Sequence, residues 1–420
     1  MAVAALFIIV IIIAVVLGGQ SKPAVVPAPS TLTVWGFEPA LVGTALENYH
    51  KLHNITVSYI PIDPAKYDAT LLNALAAGEG PDVFEIQNRA LPRYKKLLVP
   101  AAATQFSTIQ LQNLFPQAVE TDFTADGAIY ALPSYLDTLA LFYNKDLFDQ
   151  AGIVSPPKTW TEFQDDVSKL RILSGTRQVT RAGAALGGSE KTVTNAVDLV
   201  HLLMLQNGAT MTDDRRTTAM FNQGGSGQGG LAAFNFYLSF ANSGSQYFTW
   251  TDQADQDFDA FAGGTAAMVF GYHDDIAAIK TKSPYVRLGV AAIPQPDGAQ
   301  SSVSYPRYLG FAVSRQSKSP TWAWDFIINL TTDAGNAKLY ETGANRPPAL
   351  RALISEASND PEFNIFALQA LTARSWYEAD NNQIDRIFNN EISSVLSGAV
   401  RSDKALQDAQ DQVSQLMQQQ

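Results

Sequence analysis

The strongest constraint on the fold is an alternation of strand-like and helix-like segments near the start of the chain. Runs rich in β-branched and aromatic residues at 31–37, 55–60 and 82–86 predict buried strands. Between them, 38–53 and 64–77 carry apolar residues near the 3.6-residue period of a helix. This order predicts an α/β fold with a mostly parallel sheet and helices on both faces. Ligands of such sheets bind beyond the carboxyl ends of the strands.

The rest of the chain continues this alternation and then becomes helical. At about 100–200 residues per domain, a chain of 420 residues is expected to form two or three domains. Further strands are predicted at 129–132, 138–143, 266–270 and 288–293, helices at 159–173 and 192–206, and an almost wholly helical region from 321 onward.

Composition excludes several classes of site. The chain has no cysteine, which excludes a disulfide, a thiolate zinc site, an iron–sulfur cluster and a cysteine nucleophile. Its 29 Lys and Arg against 40 Asp and Glu give a net charge of -11. Because binding of a polyanion depends on Lys and Arg, this balance argues against a nucleic-acid partner.

The N-terminal residues form a separate zone. Residues 1–19 are all apolar or Gly, and the first charge is Lys22. About 20 such residues span a bilayer as a helix. No basic residue precedes the stretch, as a signal peptide would require, so 1–20 is predicted to be an uncleaved transmembrane anchor rather than a cleaved signal. Three prolines in 21–30 predict an extended tether.

Three motifs have the spacing of a cofactor or metal site but lack the neighbouring residues or elements that such a site requires. The glycines of 225–230 have dinucleotide-binding spacing, yet no good strand precedes them. The alternating acids of 255–259 lack the turn glycine and terminal glutamate of a calcium loop. His50 and His53 have no carboxylate motif around them. No cofactor or metal is therefore predicted. Two distant carboxylates could still meet in a cleft, which keeps a membrane-tethered glycoside hydrolase as an alternative.

Aromatic residues at predicted strand ends favour a sugar ligand. Flat aromatic faces stack on sugar rings while carboxylates and amides bond the hydroxyls. About two-thirds of such aromatics are core residues instead, so composition alone does not choose among them. The candidates are Trp35, Tyr135, Trp250, Tyr272, Tyr308 and Trp376.

Ordered sequence blocks over nearly the whole chain carry a family resemblance. The most specific block is 137–148, which includes Leu-Phe-Tyr-Asn-Lys-Asp-Leu-Phe and continues to Pro-Pro-Lys-Thr-Trp at 156–160. The other blocks are 32–36, 76–83, 130–133, 261–268 and 323–326. The chain resembles the sugar-type extracytoplasmic solute-binding proteins that serve ABC importers, similar to maltose-binding protein.

The resemblance implies a two-lobe periplasmic-binding-protein fold of type II, whose lobes close on ligand at a hinge. Lobe I would comprise 31–136 and 310–355, and lobe II 137–309 and 356–420. The implied function of this non-enzymatic monomer is to capture a carbohydrate, expected to be an oligosaccharide, outside the cytoplasm and to deliver it to an ABC permease. A ligand-sensing domain for a membrane receptor is a further alternative.

The resemblance also implies ligand-binding residues. Asp137 matches a sugar-contacting acid, and Trp376 matches a stacking tryptophan. Two departures, Glu85-Ile86-Gln87 in place of a stacking tryptophan and Asp380 in place of a base, point away from maltodextrin. The full predicted set is Glu38, Asn88, Arg89, Asp137, Glu190, Tyr272, His273 and Trp376.

Overall fold

The computed structural model describes residues 26–37, 43–176, 178–222 and 229–419. The predicted anchor, the first half of the tether, Glu38 and most of the glycine run 225–230 lie outside these ranges. Within them, no helix has the length and apolar character needed to cross a membrane.

The described residues form fifteen strands and seventeen α-helices. The strands are β1 Thr31–Gly36, β2 Thr56–Pro61, β3 Val83–Gln87, β4 Leu98–Val99, β5 Thr124–Ala125, β6 Ala128–Ile129, β7 Ala131–Pro133, β8 Asp137–Thr138, β9 Ala140–Asn144, β10 Ile172–Leu173, β11 Val179–Arg181, β12 Met268–Gly271, β13 Leu288–Ala291, β14 Pro306–Arg307 and β15 Leu309–Ser314. The helices are Gly43–His53, Tyr67–Ala77, Leu91–Tyr94, Thr108–Leu114, Gln117–Phe123, Lys145–Gln150, Trp160–Leu170, Ala196–Gln206, Gly229–Ser239, Asp257–Ala262, Asp275–Lys282, Pro320–Thr332, Ala334–Ala344, Arg351–Ala357, Asn364–Ala370, Asn381–Leu396 and Ser402–Met417.

The first sheet has six strands and mixed direction. The order β2-β1-β3 is parallel, as the sequence predicts for an alternation of strands and helices. The strand β15 is antiparallel to β3, β4 and β7, so the expectation of a mostly parallel sheet is wrong for this half. The reason is connectivity: β15 follows the long excursion through the second sheet and re-enters the first from the opposite direction.

The second sheet is smaller and wholly antiparallel. Both β12 and β13 pair with the central strand β9. The helix after β9 begins where the sequence predicts, because the Asn144 side chain accepts hydrogen bonds from the backbone N–H groups of Asp146 and Leu147. Thr159 caps the following helix by accepting from the backbone N–H of Glu162 at 3.2 Å.

Buried apolar side chains fall into two clusters, one around each sheet. The first cluster draws on residues 32–136 and 308–373, and the second on 139–305 and 366–417. The helix Asn364–Ala370 lies between them: Phe366 packs in the second cluster, whereas Ala367 and Ala370 pack in the first. The first core therefore continues beyond residue 355, where the sequence interpretation ends lobe I.

Three extended segments cross between the two cores. The strand β8 pairs antiparallel with β14, with Asp137 opposite Arg307, and a bridge joins Ser304 to Ala373. Thr138 Oγ1 donates to the carbonyl of Phe366 at 3.2 Å, which ties the first crossing to the helix between the cores. The chain connections between the two clusters are thus short paired segments.

Candidate functional site

Arg89 links the two cores. A 3-10 turn, Asn88–Ala90, follows β3 at the carboxyl edge of the parallel strands. From there the Arg89 guanidinium reaches three carboxylates of the second core: Glu378 at 2.9 Å, Asp385 at 3.1 Å and Asp198 at 3.5 Å.

The Arg89 group is largely shielded from water. The Arg89 side chain is 11% exposed and that of Glu378 is 0% exposed. Buried charges are costly unless they are paired, so the guanidinium and these acids depend on each other. Burial raises the pKa of Glu378 to about 8, although Arg89 opposes the shift.

Tyr272 and Arg307 extend this group toward the crossing strands. Tyr272 donates its hydroxyl to Asp198 Oδ2 at 2.8 Å, which connects it to Arg89 through a shared carboxylate. The Arg307 guanidinium lies 3.7 Å from the centroid of the Tyr272 ring, a cation–π contact. Its Nη2 also donates to Asp274 Oδ1 at 2.9 Å.

Asp137 and His273 meet at the next position. Asp137 accepts from the backbone N–H of His273 at 2.9 Å and from that of Thr138 at 2.8 Å. Burial, together with nearby Asp274, raises the pKa of Asp137 above its usual range. The His273 ring packs against Phe363, with centroids 4.7 Å apart and ring planes tilted by 31°.

A cavity of about 340 Å³ lies beside His273 and is bordered by both cores. Across it, Arg346 of the first core reaches Asp274 Oδ2 at 2.8 Å. Asp274 therefore stands between two guanidinium groups, those of Arg307 and Arg346. We call Tyr272, Asp274, Arg307 and Arg346 the Asp274 group.

Asn88 lies on the other side of the Arg89 group. Its Nδ2 donates to Asp122 Oδ2 at 3.0 Å, and Tyr308 donates to the same oxygen at 2.7 Å. Ser375 also donates to Asp122, which joins the third crossing segment to the first core. Burial raises the pKa of Asp122 to about 6 despite these hydrogen bonds.

Trp376 borders a larger cavity of about 450 Å³, which we call the Trp376 cavity; Asn88 and Arg89 also line it. The Trp376 side chain is only 5% exposed, and its ring meets His201 edge-on with centroids 5.2 Å apart. Its indole N–H has no hydrogen-bond acceptor among the described residues.

Glu190 and Glu38 stand apart from these groups. Asn389 donates to the Glu190 carboxylate at 2.8 Å, and Asn389 lies one helical turn beyond Asp385. Glu38 is outside the described residues. Beside it, the backbone N–H of Phe37 donates to buried Glu85 at 2.7 Å, so the acid that replaces a stacking tryptophan supports this loop.

The structure thus brings six of the eight predicted residues to the junction. Asn88, Arg89 and Trp376 line the larger cavity and His273 the smaller one, whereas Asp137 and Tyr272 are buried between them. Asp274 directly follows His273 and Glu378 lies two residues after Trp376, and that proximity in sequence was the available signal for them. The other residues could be found only from the folded arrangement. The site residues that the sequence did not indicate are Asp198, Asp274, Arg307, Arg346, Glu378 and Asp385.

The arrangement offers hydrogen-bonding groups and aromatic faces rather than a metal centre. Throughout the described ranges, no group of three or more His, Cys, Asp or Glu could hold a metal ion. Asp257, from the alternating acids, is bound by Thr194 through both its hydroxyl and its backbone N–H. Asp257 and Asp259 lie in the first turn of the helix Asp257–Ala262, where acidic residues interact favourably with the helix dipole.

Sequence relatives cover most of the chain. A binding protein of Brucella abortus is 26% identical over 352 residues, which cover 81% of this chain and 80% of the relative. The galactooligosaccharide-binding protein of Bacillus subtilis is 22% identical over 392 residues, which cover 89% and 84%.

A solved structure and a family sequence model also match this chain. The sugar-binding protein MalE of Xanthomonas citri superimposes with a TM-score of 0.76 at 20% identity, covering 93% of this chain and 98% of that one, and so shares the two-lobe α/β fold. The sequence model of the family described as bacterial extracellular solute-binding protein matches residues 44–365. The chain belongs to this bacterial extracellular solute-binding protein family.

Proposed function

We propose that the chain binds a carbohydrate between its two lobes outside the cytoplasm and delivers it to the permease of an ABC importer. The observation that carries the proposal is the junction itself, where Arg89 of the first core meets Asp198, Glu378 and Asp385 of the second. Two of the relatives, from Bacillus subtilis and Xanthomonas citri, are named for sugars.

The side chains at the junction suit a sugar. Hydroxyl groups both donate and accept, so they match carboxylates such as Asp137 and guanidinium groups such as Arg89. Trp376 and Tyr377, which line the larger cavity, supply aromatic side chains at one end of the junction. A ligand that contacts both lobes stabilises their closed arrangement, with the paired crossing strands β8 and β14 as the hinge.

The proposed lobes follow the two cores. Lobe I comprises 31–136 and the segment from 310, extended past residue 355 by Ala367 and Ala370, which pack in the first core. Lobe II comprises 137–309 and the remaining C-terminal helices. Limited proteolysis should therefore cleave the chain in the segments that connect the two lobes. Mass spectrometry of the fragments would measure the cleavage sites.

The proposed location is the outer side of the membrane, with 1–20 as anchor, 21–30 as tether and a monomeric binding domain. The support is the uncharged stretch before Lys22. Membrane fractionation followed by mass spectrometry of the N-terminus tests this. We expect a membrane-bound chain that retains 1–20; a mature chain that begins after residue 20 would contradict it.

The function is tested by titrating the full chain, in mild detergent, with galacto-oligosaccharides and maltodextrins. We expect saturable heat of binding and a ligand-dependent rise in thermal stability, about 2.7 kcal/mol at 100 times Kd. Chromatography of the saccharide afterwards should return it unchanged. Release of shorter saccharides would support the glycoside hydrolase alternative, and no saturable binding of any saccharide would remove the proposal.

A further inference from the structure

The Trp376 cavity has a charge balance opposite to that of the chain. Of its described lining residues, six are basic and three are acidic, whereas the whole chain has 29 Lys and Arg against 40 Asp and Glu. The basic residues come from both lobes. They are Arg89, Lys95, Lys96, Arg215, Arg216 and Arg315.

The three acids of the cavity already have partners. Glu378 is bound by Arg89 at 2.9 Å. Asp122 accepts hydrogen bonds from Asn88, Tyr308 and Ser375. Asp126 forms an ion pair with Lys95. The positive charge contributed by the arginines at 215, 216 and 315 is therefore not balanced by these carboxylates.

The cavity also holds a buried donor with no acceptor. Trp376 lines it, and the indole N–H of this side chain is almost fully buried and finds no partner among the described residues. Buried donors are nearly always satisfied, so an acceptor on a bound molecule would complete this one. Beside it, Tyr377 offers an aromatic face with the Arg216 guanidinium 5.2 Å from the ring centroid.

We propose that the Trp376 cavity takes an acidic saccharide, a sugar that carries a carboxylate. This inference rests on the proposed function and names its ligand class. The guanidinium groups of Arg215 and Arg216 bind the carboxylate, for which their planar fork is suited. A ligand oxygen accepts from the Trp376 indole, and the sugar ring lies against Tyr377. The volume of about 450 Å³ is in the range of small-molecule sites.

The test compares matched acidic and neutral sugars on the full chain by calorimetry. The probes are disaccharides of galacturonate, glucuronate and mannuronate, each paired with its neutral counterpart, galactobiose, cellobiose or mannobiose. We expect at least one acidic member to bind tenfold or more tightly than its counterpart. The advantage should shrink in high salt, because ions screen exposed charges.

Variants assign the effect to the cavity. Lys96→Gln combined with Arg215→Gln removes one charge from each lobe, while Arg401→Gln removes one from an exposed position paired with Asp403. The double variant should weaken acidic binding about tenfold or more, and by a larger factor than it weakens neutral binding. The Arg401 control should change neither. Circular dichroism and thermal unfolding confirm that each variant is folded.

Three outcomes overturn the inference. If neutral disaccharides bind as tightly as all three acidic ones, the ligand class is wrong while the proposed function stands. If inorganic phosphate competes at the same concentration as the acidic sugar, the cavity is a simple anion site. If the double variant binds acidic sugar as the wild type does, the cations of the cavity do not bind it. Absence of all saccharide binding would remove the proposed function as well.

Discussion

The Asp274 group and the Trp376 cavity occupy opposite ends of the same junction and differ in how their charges are paired. In the first, Asp274 lies between Arg307 and Arg346, at 2.9 and 2.8 Å. In the second, the basic residues outnumber acids that already have partners, and an indole N–H lacks an acceptor. The two ends differ in their balance of charge: Asp274 has a guanidinium group on each side, whereas the cations of the Trp376 cavity outnumber its carboxylates, which is the basis for proposing a ligand there.

The largest expected effect comes from the Arg89 group between the two ends. Arg89→Met leaves Asp198, Glu378 and Asp385 near one another without their cation. Breaking a buried ion pair on one side typically costs about 3–5 kcal/mol. Urea unfolding should show this loss. Lys338→Met breaks an exposed pair with Glu356 and should cost less than about 1 kcal/mol. Equal losses for the two variants would mean that the Arg89 group does not hold the lobes.

A pH effect should distinguish the Asp122 side of the junction. Burial raises the pKa of Asp122 to about 6 from 3.8. Between these values the folded chain binds more protons than the unfolded chain, so stability falls as pH rises through about 6. Asp122 accounts for about 3 kcal/mol of this loss of stability, and Asp122→Asn removes that part of the pH dependence. Plots of the free energy of unfolding against pH, from pH 4 to pH 7, should therefore converge or cross for the wild type and the variant. Parallel plots would contradict the assignment.

Trp376→Phe sharpens the account of the unsatisfied donor. The change keeps an aromatic ring in the second core but removes the indole N–H, whereas Trp376→Ala would open a core cavity and cost about 3–5 kcal/mol of stability. We expect saccharide affinity to fall by about 1 kcal/mol, close to fivefold, as one hydrogen bond is lost. Calorimetry measures it. Unchanged affinity would show that the ligand does not accept from this group.

The smallest effect is expected in the Asp274 group. Arg346→Met removes one of two cations that face Asp274, and Arg307 remains 2.9 Å away. Because Asp274 is partly exposed, the loss of stability should be about 1 kcal/mol or less. Affinity for saccharide should change less than in the Trp376 cavity variants. If Arg346→Met lost more saccharide affinity than the Trp376 cavity variants, the roles given to the Asp274 group and the Trp376 cavity would be reversed.

Local sequence patterns were sufficient for the first three strands and for part of the site. The alternation that predicts β1, β2 and β3 reflects side-chain periodicity, and each strand is found. Asn88 and Arg89 were predicted because they follow β3. Asp198 and Asp385 could not be predicted in this way, because their role depends on Arg89, which lies more than a hundred residues away in the chain. The direction of β15 likewise depends on where the chain returns from the second sheet.

The predicted role of Trp376 shows the same limit of prediction from sequence. The sequence indicated a stacking tryptophan, and the structure places its ring against His201 in the second core while its edge lines the cavity. Sequence position cannot separate packing from ligand contact when one side chain serves both surfaces. Its contact with a sugar stays a prediction.

The absence of cysteine permits a direct test of ligand binding between the lobes. Cysteines introduced at exposed Ile109 and Val154 place one spin label on each side of the junction, and a second pair at Val154 and Tyr285 lies within the second lobe. Distances are measured by pulsed electron paramagnetic resonance with and without a saccharide at a concentration that calorimetry shows to be saturating. Binding between the lobes predicts that the first distance distribution shifts or narrows while the second stays the same. A first distribution unchanged at saturation would contradict it.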